Sequence, residues 1–198
     1  MRNDLRTGLG HVEYFKSLPW CAEIMNNTNY TITPMLSRIP KGSSEDSFFA
    51  ETLQSERTIR KCLTLNTHPD NHLDPPIQQV FSFFELGTGL DGFPNISHGG
   101  FVATMLDESM VFLLAVNQEH ANQEHGTDDE ITYLTAYMNI RYIAPVRTPG
   151  IVLGSAKVTK GEGRKLYVRG IIEDKERREL AVAECLFIKA KSDPRANI

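Results

Sequence analysis

Two glycines and a carboxylate, set at a fixed spacing on one apolar segment, are the residues of this chain best suited to chemistry. Ser97 precedes His98, Gly99 and Gly100, and Asp107 stands eight residues beyond Gly99. Serine is a good helix N-cap, which predicts that the histidine and both glycines occupy a first turn whose N–H groups have no partner inside the helix. Glycines there omit Cβ atoms and let a carbonyl come close to the backbone, while the helix dipole adds about half a positive charge. Such a turn suits an oxyanion. Between Gly99 and Leu114 only Asp107 and Glu108 are charged. Burying a carboxylate on so apolar a segment is costly unless it is paired or used, so Asp107 is the candidate for proton transfer or nucleophilic attack. Glu108, about 100° further round the helix, is the second choice. The residues alone also allow a plainer account, in which the glycines serve close packing and the acidic pair lies on a solvated stripe.

The elements that must position these groups follow from periodicity. Val102, Met105, Leu106, Met110, Leu113 and Val116 recur at helical intervals and predict one long core helix between Ser97 and Gln118. Strands are predicted at Phe48–Leu53, Thr58–Leu65, Ile77–Leu86, Ile131–Ala144, Ile151–Lys160, Lys165–Glu173 and Leu180–Lys189. The last three are separated by short connections and should form an antiparallel meander. One helix beside a run of strands is an α+β layout. Residues 1–47 read as an N-terminal extension with an amphipathic segment from Val12 to Met25, and 48–198 as the domain proper.

Bulk properties narrow the function. With 198 residues, 40% of them hydrophobic and 23% charged, the chain is an ordinary globular protein with one sizeable core. A net charge of −4 offers no bulk attraction to phosphate backbones, and no nucleic-acid partner is expected. Cys21, Cys62 and Cys185 are odd in number and lack metal-ligand spacing, which fits a reducing, intracellular and chiefly cytoplasmic setting. Arg2 and Arg6 leave an organelle address open, and Asp4 and Glu13 weaken it. The strictly apolar runs fall short of the roughly 20 residues of a membrane span, so none is expected.

The string from His98 to Glu108 resembles the HGG-x6-D/E signature of hotdog-fold thioesterases, which include the 4-hydroxybenzoyl-CoA and phenylacetate-pathway enzymes. The block from Leu134 to Pro145 and the block from Gly161 to Val168 are similar to those of the phenylacetate-type and mammalian subgroup, so the resemblance runs from about Phe48 to Lys191. It implies a hotdog fold, an antiparallel sheet wrapped around one long central helix, and acyl-CoA thioester hydrolysis without a cofactor, CoA being part of the substrate. It assigns Asp107 as general base or nucleophile. It assigns the backbone N–H of Gly99, with Gly100, to polarising the carbonyl, and Thr135 to orienting water. Thr135 read by itself is an unremarkable strand residue.

Helix geometry adds a conclusion of its own. Eight residues put Gly99 and Asp107 about 12 Å apart, so one thioester cannot touch both within a single chain, and a second copy must supply the carboxylate. A homodimer or dimer of dimers is therefore expected, in keeping with the resemblance. Arg141 shares odd numbering with Thr135 and so its strand face, roughly 20 Å away. With Arg164 and Lys165 it forms the candidate phosphate contact set, ordinary surface charge being the alternative. His98 is expected to hold the glycine turn against the substrate rather than to act as a base.

Two motifs mislead. Gly87 to Gly92 satisfies G-x-G-x-x-G but leads into Phe93 and Pro94 with no βαβ series, so it reads as a loop. His68, Asp70, His72 and Asp74 lack a helical presentation because of Pro69, and no metal site is expected. Two rival functions remain: a hotdog hydratase or dehydratase, and a non-enzymatic acyl-CoA-binding protein.

Overall fold

The computed structural model describes residues 9–127 and 132–190. Arg2, Asp4, Arg6 and Ile131 lie outside them. Nine strands and three α-helices are seen among the described residues: α1 (Val12–Lys16), α2 (Pro19–Met25), β1 (Tyr30–Ile32), β2 (Ile59–Thr67), β3 (Gln79–Leu86), β4 (Asp91–Phe93), β5 (Ile96–Ser97), α3 (Gly99–His125), β6 (Tyr133–Tyr142), β7 (Gly150–Glu162), β8 (Lys165–Glu173) and β9 (Glu179–Lys189). Seven strands make one antiparallel sheet in the order β1-β2-β3-β7-β8-β9-β6, with α3 packed on one face, chiefly against β7, β8 and β3. This is the hotdog arrangement, and β7, β8 and β9 form the expected meander.

The helix lies close to the sheet because two strand positions carry no side chain. A Cβ on Gly154 of β7 would stand 2.5 Å from the Ser109 hydroxyl, and one on Gly170 of β8 would stand 3.2 Å from Met110. Met105, Leu106, Met110 and Leu113 thereby reach Phe84, Val168, Ile172 and Ala183 in a single core. Length and composition alone would let α3 cross a membrane; here its apolar residues are taken up by the sheet.

The helix runs two turns past the expected end at Gln118. Residues 118–125 are polar apart from Ala121, and i,i+4 contacts hold them: Gln118 to Asn122 at 2.8 Å and Gln123 to Glu119 at 2.8 Å. Gly126, at φ 63°, then closes the helix in the left-handed region. Phe48–Thr52 is a second departure. The expected strand is one wide helical turn, closed by the Leu53 N–H on the Phe48 carbonyl at 2.9 Å, with Phe49 and Ala50 buried. An aromatic run of this length has no periodicity by which to separate strand from turn.

The extension is part of the same packing unit. β1 joins the sheet beside β2, and α1 and α2 cover the sheet face opposite α3, where Phe15 stacks on Phe83 at 5.4 Å and Trp20 meets the same ring edge-on at 5.4 Å. Both faces of β2 and β3 are therefore buried, and their near-continuous apolar sequences reflect it. All three cysteines are free and buried. The Gly87–Gly92 segment is the expected loop, a short turn at Thr88–Leu90 leading into β4.

Candidate active site

A small hairpin and its neighbouring loop fix the start of α3. β4 and β5 pair around Asn95, whose φ of 58° makes the turn. The Ser97 N–H donates to the Val146 carbonyl at 2.9 Å, the His98 N–H to the Leu90 carbonyl at 2.8 Å, and the Thr148 hydroxyl to Asp91. Ser97 is consequently used up in β5, with its hydroxyl buried and unpartnered among the described residues. The N-cap is His98, one residue later than expected. Its backbone is extended (φ −61°, ψ 135°) and its Nδ1 accepts from the Gly100 N–H at 2.9 Å. That bond requires an unprotonated Nδ1.

The cap distinguishes the two glycines. The Gly100 N–H is committed to His98, and the Phe101 and Val102 N–H groups donate to the His98 carbonyl at 2.9 and 3.1 Å. Gly99 N–H is left as the first-turn donor with no partner among the described residues. It borders an open cleft of about 630 Å³ whose walls include Phe93, Ile96, Val102, Tyr142, Ile143 and Val146, with no Asp, Glu, Lys or Arg in the lining. Tyr142, which sequence reasoning did not single out, closes the other side of the turn: its hydroxyl donates to the Gly99 carbonyl at 3.1 Å.

Two turns along α3, Asp107 is half-buried, and its Oδ1 is shielded from solvent with no hydrogen-bond partner among the described residues. Burial pushes its carboxyl above the ordinary value, and the nearby Thr135 hydroxyl on β6 opposes part of that rise. Asp107 and Thr135 are thus brought together within one chain. Glu108 faces away, toward the extension. The Ser37 hydroxyl donates to its Oε2 at 2.9 Å. Burial chiefly raises its pKa, to about 7; Asp107 and Asp46 add to the rise, and Ser37 and Arg38 oppose it. Arg38 is only 3% exposed, its ring neighbour is Phe49 at 5.2 Å, and its Nη1 has no partner among the described residues.

The basic residues are not gathered. β6 carries a bulge: Thr135 pairs with Phe187 of β9, but Tyr137 pairs with Leu186. The extra residue reverses the alternation, so Thr135 shares the inner face with core residue Phe187, whereas Arg141 pairs with Val182 and lies on the outer face. The shared face expected from odd numbering does not exist. Arg164 and Lys165 sit at the β7–β8 turn, where Arg164 donates to the Lys189 carbonyl at 3.1 Å. Lys165 pairs with Ile188 of β9, six positions from the Val182 opposite Arg141, a span of roughly 20 Å. Within one chain, then, Arg141 stands apart from Arg164 and Lys165.

An antiparallel sheet around a central helix, with a glycine turn at one end of that helix and a carboxylate two turns on, defines a hotdog protein. Residues 95–181 match the family model described as Thioesterase superfamily. The chain is 25% identical to Verlamelin biosynthesis protein B of a Lecanicillium species, covering 96% of this chain and 93% of that one. It is 31% identical to the acyl-coenzyme A thioesterase THEM4 of Mus musculus, covering 57% of this chain and 44% of that one. It therefore spans less than half the length of that thioesterase. Among solved structures, thioesterase superfamily protein RHA08564 aligns with a TM-score of 0.49 at 21% identity, covering 65% of this chain and 53% of that one.

Proposed function

We propose that this chain hydrolyses acyl-CoA thioesters to a free acid and CoA, with no added cofactor. The observation that carries the reading is the half-buried Asp107 carboxyl, its Oδ1 without a partner among the described residues and Thr135 nearby, on a helix whose glycine start leaves the Gly99 N–H likewise without one. Asp107 takes a proton from water beside Thr135, the hydroxide adds to the thioester carbon, and the oxyanion that forms is held by the Gly99 N–H. Collapse breaks the C–S bond, and the proton held by Asp107 goes to the leaving sulfur. Acyl-coenzyme A as substrate is supported by the names of the curated thioesterases that the chain resembles.

The reading requires two copies, because about 12 Å of helix separates Gly99 from Asp107. β6 favours the same conclusion. It is the outermost strand beyond β9, ten residues long, with Leu134, Tyr137 and Tyr142 at least 45% exposed. A long exposed edge with apolar side chains invites pairing with another strand. Two-fold antiparallel pairing there would run Arg141 of one copy toward the Arg164 end of the other, and so assemble across the interface the phosphate contacts that one chain keeps apart.

The test is thiol release from a panel of acyl-CoA and acyl-carrier-protein thioesters, comparing wild type with Asp107→Ala. Release by wild type and its loss in the variant are expected. Measurable binding without release from any thioester would instead favour a non-catalytic acyl-CoA-binding protein, and turnover of an enoyl or hydroxyacyl chain would favour a hydratase.

A further inference from the structure

We propose that Tyr142 is a positioning residue that pins the Gly99 carbonyl and so ties the first residue of α3, whose N–H belongs to the preceding His98–Gly99 peptide, to β6; this rests on the reading of that N–H as the oxyanion donor. The peptide between Gly99 and Gly100 is held at both ends. Its carbonyl accepts from the Tyr142 hydroxyl at 3.1 Å, and its N–H donates to His98 Nδ1 at 2.9 Å. His98 belongs to the turn itself, so Tyr142 is the side chain that ties the turn to another element, 43 residues away on β6. Neither glycine has a Cβ to restrict its dihedrals, so without an outside anchor Gly99 can turn about its own backbone bonds and the start of α3 can fray around its N–H. Bonds at the carbonyl and the amide of one peptide also polarise each other in the same sense.

The placement of the ring agrees with this role. A Cβ built on Gly99 would lie 3.6 Å from Tyr142 Cε1, ordinary contact, so the ring lies directly over the first residue of α3. Tyr142 pairs with Ala181 and points to the inner face of β6, yet it is 57% exposed because it stands at the mouth of the cleft. A tyrosine so exposed is not retained there by core packing, and its hydroxyl and ring both face the group that the chemistry needs fixed.

The experiment compares Tyr142→Phe, which keeps the ring and removes the hydroxyl, with Tyr142→Leu, which removes both. In Tyr142→Phe, kcat should fall roughly two- to tenfold for every acyl-CoA with KM unchanged, the loss of one neutral hydrogen bond. Exchange of the Gly100 amide with solvent, followed by NMR, should quicken. Tyr142→Leu should show the same fall and also alter KM, because one wall of the cleft is gone. Unchanged amide exchange and unchanged kcat in Tyr142→Phe would overturn the proposal. Exchange is read without turnover, so a wild type that releases no thiol would overturn the hydrolytic reading while the amide data still judged the role of Tyr142.

Discussion

Gly99 and Asp107 lie on one helix, eight residues and about 12 Å apart, with Gly99 lining an apolar cleft and the Asp107 carboxyl near Thr135 on β6. A site built from both must draw them from different copies. Mixing then has a signature. A dimer of one Gly99→Pro chain and one Asp107→Asn chain contains one site with both defects and one with neither. Randomly reassembled mixtures should recover about a quarter of wild-type thioesterase activity, although each variant alone is inactive. If the mixture stays as inactive as its components, while size-exclusion confirms exchange, the composite site is refuted.

Proline is chosen at position 99 for a structural reason. Gly99 is the first residue of α3, where a proline ring fits and the N–H has no helical acceptor. His98 already has the extended backbone that proline imposes on its predecessor, φ −61° and ψ 135°. The substitution therefore deletes one donor with little other change. The expected outcome is a melting temperature close to wild type and a kcat lowered by about 10²–10³, the cost of losing an oxyanion donor. A folded variant with near-normal kcat would remove Gly99 from the mechanism.

Asp107 and Thr135 make a pH prediction. The Asp107 carboxyl is raised by burial and the Thr135 hydroxyl holds it down. The rate should climb as Asp107 loses its proton, with a midpoint above the ordinary carboxylate value. Removing the hydroxyl in Thr135→Val should move that midpoint to higher pH, and Thr135→Ser should restore it. The pH dependence of kcat/KM for the three proteins is the measurement. Identical profiles would mean that Thr135 does not touch the ionising carboxylate.

Much of this site is legible in the sequence because it rests on local spacing. The apolar period between Val102 and Val116 marks the helix, and the isolation of Asp107 and Glu108 within it marks the carboxylates. What local spacing hides depends on contacts distant in sequence. Strict alternation puts Arg141 on the wrong face, because a bulge between Thr135 and Tyr137 has no signature in residue type and reverses every later position on β6. Ser97 is the better cap by composition, yet pairing within β5 removes it and an imidazole serves instead. Tyr142 and Ser37 went unnoticed for the same reason. Their partners are 43 and 71 residues away, and only the folded sheet and the docked extension bring them to α3.

Glu108 is where the extension meets α3, and its ionisation should register in stability. Its carboxyl is raised to about 7 from an ordinary value near 4.5, mainly by burial, with Asp107 and Asp46 adding to the rise and Ser37 and Arg38 opposing it. An acid whose folded pKa exceeds its unfolded one binds its proton more tightly when folded. The associated stability is fully present below about pH 4.5 and is lost as pH rises to about 7. Glu108→Gln cannot ionise and still offers an oxygen to the Ser37 hydroxyl at the 2.9 Å contact. The variant should match wild type in denaturant unfolding near pH 4.5 and exceed it at pH 8, with the difference opening between those values. Arg38 sets the opposing expectation. If the buried guanidinium moves to pair with the ionised carboxylate, wild type will gain on the variant as pH rises, and the sign of the divergence will show which force governs the contact.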